Sequence, residues 1–175
     1  MGHDPKGPGM TAPRTVVLEI TALEAAHLAD LVRQFRDLLH SSEAMDATTP
    51  RDPAVARLVP DAYSDDPEAS RQFRDLTAAD LLGRRDEDAQ AVLAALPDHD
   101  APTTEDEALQ TLSIVLAPDR LDAWLRTLTA LRLVLASRLG IRSEADHDDD
   151  DPRFGIYEWL GYRLEGLVQA ADGAR

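Results

Sequence analysis

Few side chains in this chain have both the type and the spacing that chemistry needs, and the first to consider is an arginine. In the segment 124–139, WLRTLTALRLVLASRL, Leu or Val occupies almost every angle of a helix. At about 100° per residue, Arg132 falls beside Leu121, Leu125, Leu128, Leu135 and Leu139. A helix apolar all round is a buried one. A guanidinium left unpaired on its core line would be strongly destabilising, so Arg132 must meet a carboxylate or backbone carbonyls. Glu165 and Asp80, both on neighbouring predicted helices, are its candidate partners. A buried ion pair that sets helix register is the favoured reading, and a ligand-binding arginine is the alternative.

Other constellations are weaker. Trp159 and Tyr162 sit off the buried line of the last predicted helix, beside Gly155 and Gly166. With Arg163 they form a candidate contact patch, which a second layer of helices would instead bury. Arg71, Arg74, Arg84 and Arg85 fall on neighbouring helices as a candidate basic patch. Arg85 shares a core-side position, but its polar surroundings favour an exposed or snorkelling guanidinium. His147 lies among Asp146 and Asp148 to Asp151, yet no glycine turn and no distal Glu completes a calcium loop, so a solvated acidic loop is expected there. His3, His27, His40 and His99 are scattered, and no serine stands in a nucleophile motif. There are no cysteines, which removes thiol nucleophiles, disulfides and Cys-ligated zinc. The expectation is a protein without catalytic residues, metal or cofactor.

The elements that must position these groups follow from length and pattern. A chain of 175 residues fits one domain with a proper core. Apolar residues make up 43% of it but aromatics only 5%, which suits packed helices of Leu, Ala and Val. A net charge of −15 disfavours general nucleic-acid affinity. No signal peptide or membrane span is read, so a cytoplasmic address is expected. The fold class is mostly α: a single-domain bundle of about five to six helices over residues 15–172. Residues 1–14 are expected as a disordered leader, and 143–151 as a mobile acidic loop.

Local signals mark the boundaries. VVLEI at 16–20 runs into Thr21-x-x-Glu24, a capping box that opens a helix to about residue 40, with Leu28, Leu31, Phe35, Leu38 and Leu39 inward. Asp52-Pro53, Asp66-Pro67 and Asp151-Pro152 each offer an N-cap followed by a proline at the first helical position. The second of these helices is expected to reach Leu76, and Thr77-x-x-Asp80 to start another that ends at Pro97. A polar loop is expected over 98–106. Residues 112–116 echo the first strand, so 16–20 and 112–116 should pair as a two-stranded β ribbon, in either direction. The central helix should stop at Gly140 and the last run over about 153–170, with Tyr157, Leu160, Leu164, Leu167 and Val168 inward.

RLVPDAYSDDPEASRQFRDLTAADL at 57–81, AWLRTLTALRLVLASRLGI at 123–141 and YEWLGYRLEGLV at 157–168 together resemble an actinobacterial domain-of-unknown-function family, AosR-like, some members of which carry the description of oxidative-stress transcription regulator. The likeness covers most of the chain from Val16 onward. In that family the segment before the central arginine reads Leu-Asn-Asp-Leu-Arg, whereas here it is Leu128-Thr129-Ala130-Leu131-Arg132. The closing motif reads Trp-Leu-Thr-Trp-Leu-Gln-Glu there and Trp159-Leu160-Gly161-Tyr162-Arg163-Leu164-Glu165 here. The resemblance implies transcription regulation, and a gene beside the adaptor of an ATP-dependent protease. A protein that sensed oxidants through its own disulfide could not be this chain. The expected role is a non-catalytic regulatory module acting through a protein partner, with a homodimer through the Trp159 flank as one arrangement. An accessory or adaptor factor for ATP-dependent proteolysis is the alternative, and direct DNA binding is the third and weakest.

Overall fold

Capping chemistry sets most of the element boundaries in the computed structural model, which describes residues 15–43, 52–59, 65–97, 102–143, 146 and 151–173. The expected leader at 1–14, most of the acidic loop, the Arg74 side chain, and His3, His99 and His147 lie outside the described residues. Strand β1 (Val16–Thr21) feeds helix α1 (Ala22–Glu43), and α2 (Pro53–Leu58) and α3 (Pro67–Ala95) follow. A short helix α4 (Glu105–Leu109) precedes β2 (Thr111–Leu116), α5 (Pro118–Leu139), a 3-10 turn (Pro152–Phe154) and α6 (Gly155–Gly173). The chain is mostly α with a small β ribbon.

Each Asp-Pro pair opens its element. Asp52 accepts from the Ala54 amide at 2.8 Å, Asp66 from Ala69 at 2.9 Å and Asp151 from Arg153 at 3.0 Å. The ribbon is antiparallel, pairing Val16 with Leu116 and Thr21 with Thr111. Its inner face carries Val16, Ile20, Ile114 and Leu116 into the core, while Val17 and Val115 pair on the outer face in solvent.

Two boundaries differ from the sequence reading. Helix α3 is continuous, because the Thr77 hydroxyl donates back to the Phe73 carbonyl at 2.9 Å instead of capping a new helix. Of the predicted loop at 98–106, residues 98–101 lie outside the described residues, and its end at Glu105 and Asp106 is already in α4, whose capping box joins Thr104 and Glu107. That signature, Thr-x-x-Glu, stands in the sequence, but the polar run around it hid a helix that buries nothing.

Helix α5 is the centre of the bundle, touching α1, α2, α3, α6 and β2. Its fully buried line is Trp124, Thr127, Leu128 and Leu131, flanked by Ala123 and Ala130. This line is rotated from the leucine line expected from the sequence, since Leu125 and Leu135 are only partly buried. Leu121, Leu128 and Leu131 share the contact with Trp124 and with small residues, Ala123, Thr127 and Ala130. Arg132 consequently sits at the edge of the buried face and not on its centre. On α6, Leu160 and Leu167 are buried as expected, while Val168 is exposed.

At its C-terminus α5 closes with a Schellman motif: the Ile141 amide donates to the Ala136 carbonyl at 2.8 Å and the Gly140 amide to Ser137 at 3.4 Å. Ile141, Ala136 and Phe154 pack into a satellite cluster with Leu139 and Tyr157, joining the end of α5 to the start of α6. Gly140 adopts φ +77 with open space around a would-be Cβ, so a side chain there meets only backbone strain. Gly140→Ala should therefore lower stability by about 1–2 kcal/mol, read from urea denaturation. An unchanged midpoint would show that the left-handed cap is dispensable.

Candidate functional site

Glu24 gathers the features that single out one face of the molecule. It lies in the first turn of α1, and its two carboxylate oxygens face opposite ways. Oε2 closes the capping box, accepting from the Thr21 amide at 2.8 Å and the Thr21 hydroxyl at 3.1 Å, while the Glu24 amide donates to Thr21 Oγ1 at 3.2 Å. Oε1 accepts from the Trp159 indole Nε1 at 2.8 Å and from Arg163 Nη2, which also forms the ion pair. Arg163 Nη1 reaches further and donates to the Glu19 carbonyl on β1 at 3.1 Å. One carboxylate thus fastens α6 to the strand-helix junction. Burial works against the charged form, but it is outweighed by the Arg163 hydrogen bond, the Thr21 amide, the Trp159 indole and the Arg163 charge, which hold the carboxyl at about 2.

Beside this clamp, α1 and the start of α6 enclose a largely apolar groove of about 450 Å³ lined by Leu23, His27, Leu31, Ile156 and Trp159. Leu23 is 40% exposed and Ile156 53%, and Tyr162, three residues beyond Trp159 on the same flank of α6, is 73% exposed. The Arg163 guanidinium stands 5.6 Å from the Tyr162 ring centre and 6.0 Å from that of Trp159. Of the predicted contact patch, Tyr162 is therefore out in solvent, whereas Trp159 and Arg163 are partly buried and committed to Glu24.

The other sequence candidates do not assemble as expected. Arg132 pairs with neither Glu165 nor Asp80: Glu165 accepts from Gln169 and Asp80 pairs with Arg84. Instead its guanidinium lies 4.2 Å from the centre of the Tyr157 ring, a cation-π stack, with Gly161 leaving room for it. The partner proves to be an aromatic ring because Arg132 lies at the edge of the buried face, where a half-exposed ring suffices. The basic patch is not a free one either. Arg71 pairs with Glu68 at 2.8 Å and Arg84 with Asp80 at 3.0 Å. Arg85 is half-buried, neither exposed nor snorkelling, and donates to the Leu58 carbonyl at 3.1 Å, where it satisfies the end of α2. Burial pushes its guanidinium pKa down, against the pull of Asp88.

Sequence reasoning saw Glu24 only as a cap. Its second role spans 135 residues to Trp159 and 139 to Arg163, a separation at which a single sequence leaves no trace. The same holds for Arg36, which grips Asp86 through two bonds of 2.6 and 3.0 Å, and for Arg126 on Asp88 at 2.7 and 2.8 Å.

Among the described residues no helix is long and apolar enough to cross a membrane. A family model described as a domain of unknown function (DUF2017) matches residues 6–171, and no curated protein or solved structure matches the chain.

Because the Glu24 carboxyl is depressed in the folded state, its contribution is present above the ordinary value of 4.5 and is lost as pH falls toward about 2. Glu24→Gln should destabilise the protein by on the order of 2 kcal/mol near neutrality, a figure reduced for partial exposure. The gap from wild type should narrow steadily below about pH 5 in urea denaturation. A gap that stays constant down to acid pH would remove the charge from the explanation.

Proposed function

The chain belongs to the DUF2017 family, and from that premise we propose that it is a non-catalytic regulatory module that binds a protein of the transcription machinery through the face made by α1 and α6. The observation that carries this reading is the exposed Leu23–Ile156 groove with Tyr162 beside it, held in place by the Glu24 clamp. Tyr, Trp and Arg are the side chains that dominate protein-protein affinity, and here they occur together at one edge. Trp159 and Arg163 are already locked by hydrogen bonds, so little side-chain freedom remains to be lost when a partner docks. The excess of acid over base favours a protein partner over phosphate backbones. The regulatory role, and transcription as its setting, come from the AosR-like resemblance of the three sequence segments.

Affinity capture from the native cell, with wild type beside a Tyr162→Ala, Ile156→Asp double variant, tests the reading. Both side chains are exposed, so the fold should persist. Wild type should retain a transcription component that the variant loses by roughly tenfold or more, the scale of one interface hot spot. Equal capture by both proteins, or a captured set without any transcription component, would contradict it.

A further inference from the structure

A second depression, of about 490 Å³, lies between α2, α5 and α6, and its lining includes Arg57, Arg132 and Arg142. Three arginines along one hollow stand out in a chain of net charge −15. Several other arginines are held by carboxylates: Arg36 by Asp86, Arg126 by Asp88, Arg138 by Asp52 and Arg163 by Glu24. These three form no ion pair among the described residues. Arg57 donates to the Ile141 carbonyl at 3.3 Å, a neutral acceptor. Arg132 lies on Tyr157, and its Nε is buried without a hydrogen-bond partner. Asp146, the carboxylate beside Arg142, turns Oδ2 to the backbone amides of Arg142 and Ser143 and to the Ser143 hydroxyl, so it meets the Arg142 guanidinium only through space and not in an ion pair. Leu133, Ile141 and Tyr157 supply an apolar and aromatic wall.

We propose that this hollow binds a small organic phosphate, its phosphoryl group among Arg57, Arg132 and Arg142 and its apolar body against Tyr157 and Ile141. Guanidinium forks match the oxygens of a phosphoryl group, and a dianion answers several positive charges better than a single carboxylate does. The volume falls within the range of small-molecule sites. The site is separate from the α1–α6 face and does not rest on the protein-partner reading. It gives the molecule a place for a diffusible ligand that involves no thiol, and Tyr157, on the same helix as Tyr162, links the two faces physically.

The test is an amide NMR titration of the full chain at about 0.15 M salt, where weak surface attraction is largely screened. Phenyl phosphate is the probe, with inorganic phosphate and citrate in parallel. Saturable shifts should concentrate on residues 129–143 and 157–164, and phenyl phosphate should bind more tightly than inorganic phosphate because it also uses the wall. Arg142→Ala, an exposed change that leaves the core intact, should weaken binding roughly tenfold, the scale of one lost charge-assisted hydrogen bond. Gly161→Ala offers a second handle, since its Cβ would stand 3.1 Å from Arg132 Cζ and push the guanidinium aside. It too should weaken phenyl phosphate while the spectrum stays dispersed. Citrate binding as tightly as phenyl phosphate, shifts scattered over the surface, or unchanged affinity in both variants would overturn the proposal.

Discussion

The described structure turns on one carboxylate with two faces. Glu24 completes the start of α1 through one oxygen and takes the Trp159 indole and Arg163 guanidinium on the other. A helix cap is ordinarily a local device, worth about 1 kcal/mol to its own helix. Here the same group also fixes where α6 lies against β1, because Arg163 passes through it to the Glu19 carbonyl. The exposed groove between α1 and α6 lies directly beside that attachment. Position, burial and charge are thereby coupled in a single side chain.

Charge is distributed by the same logic across the bundle. Arg36–Asp86 joins α1 to α3, Arg126–Asp88 joins α5 to α3, and Arg138–Asp52 joins α5 to the cap of α2. The first two exploit the planar fork of arginine, which holds both oxygens of the carboxylate at once, whereas Arg138 takes one oxygen of Asp52 and leaves the other to cap α2. The Asp86 carboxyl is held below its ordinary value, chiefly by its hydrogen bond from Arg36. Around Tyr157 the arrangement departs from these pairs: Arg57, Arg132 and Arg142 line one hollow and form no ion pair among the described residues. That departure, set against the acidic background, is what makes the second hollow chemically distinctive.

Features encoded within a few residues were legible before any coordinates. The Thr21–Glu24 box, the Asp-Pro caps and the left-handed Gly140 depend on local spacing, and each lies where its motif placed it, while the two strands of the ribbon could be named but not the direction of their pairing. Errors arose where a local signal competed with context. Thr77 resembled a cap but sits inside a longer helix, and Thr104 was a true cap hidden in a polar run. Of the leucine line through Arg132, Leu121 and Leu128 are buried, but the face also includes Trp124, Thr127, Ala130 and Leu131, and this turns it away from Arg132. The partners of Arg132 and Arg85 were beyond reach, since an aromatic ring and a helix-end carbonyl become neighbours only once the helices pack. Of the interaction face, Trp159, Tyr162 and Arg163 could be named from the sequence, but their division into two clamped side chains and one exposed ring could not.

The central claim is that Glu24 holds α6, and with it the contact face, in place. Hydrogen exchange of the full chain, wild type against Glu24→Gln at neutral pH, addresses it directly. Amides of α6 and β1 should lose protection while those of α3 and α5 keep theirs. Equal protection in both proteins, or a uniform loss across every helix, would contradict it.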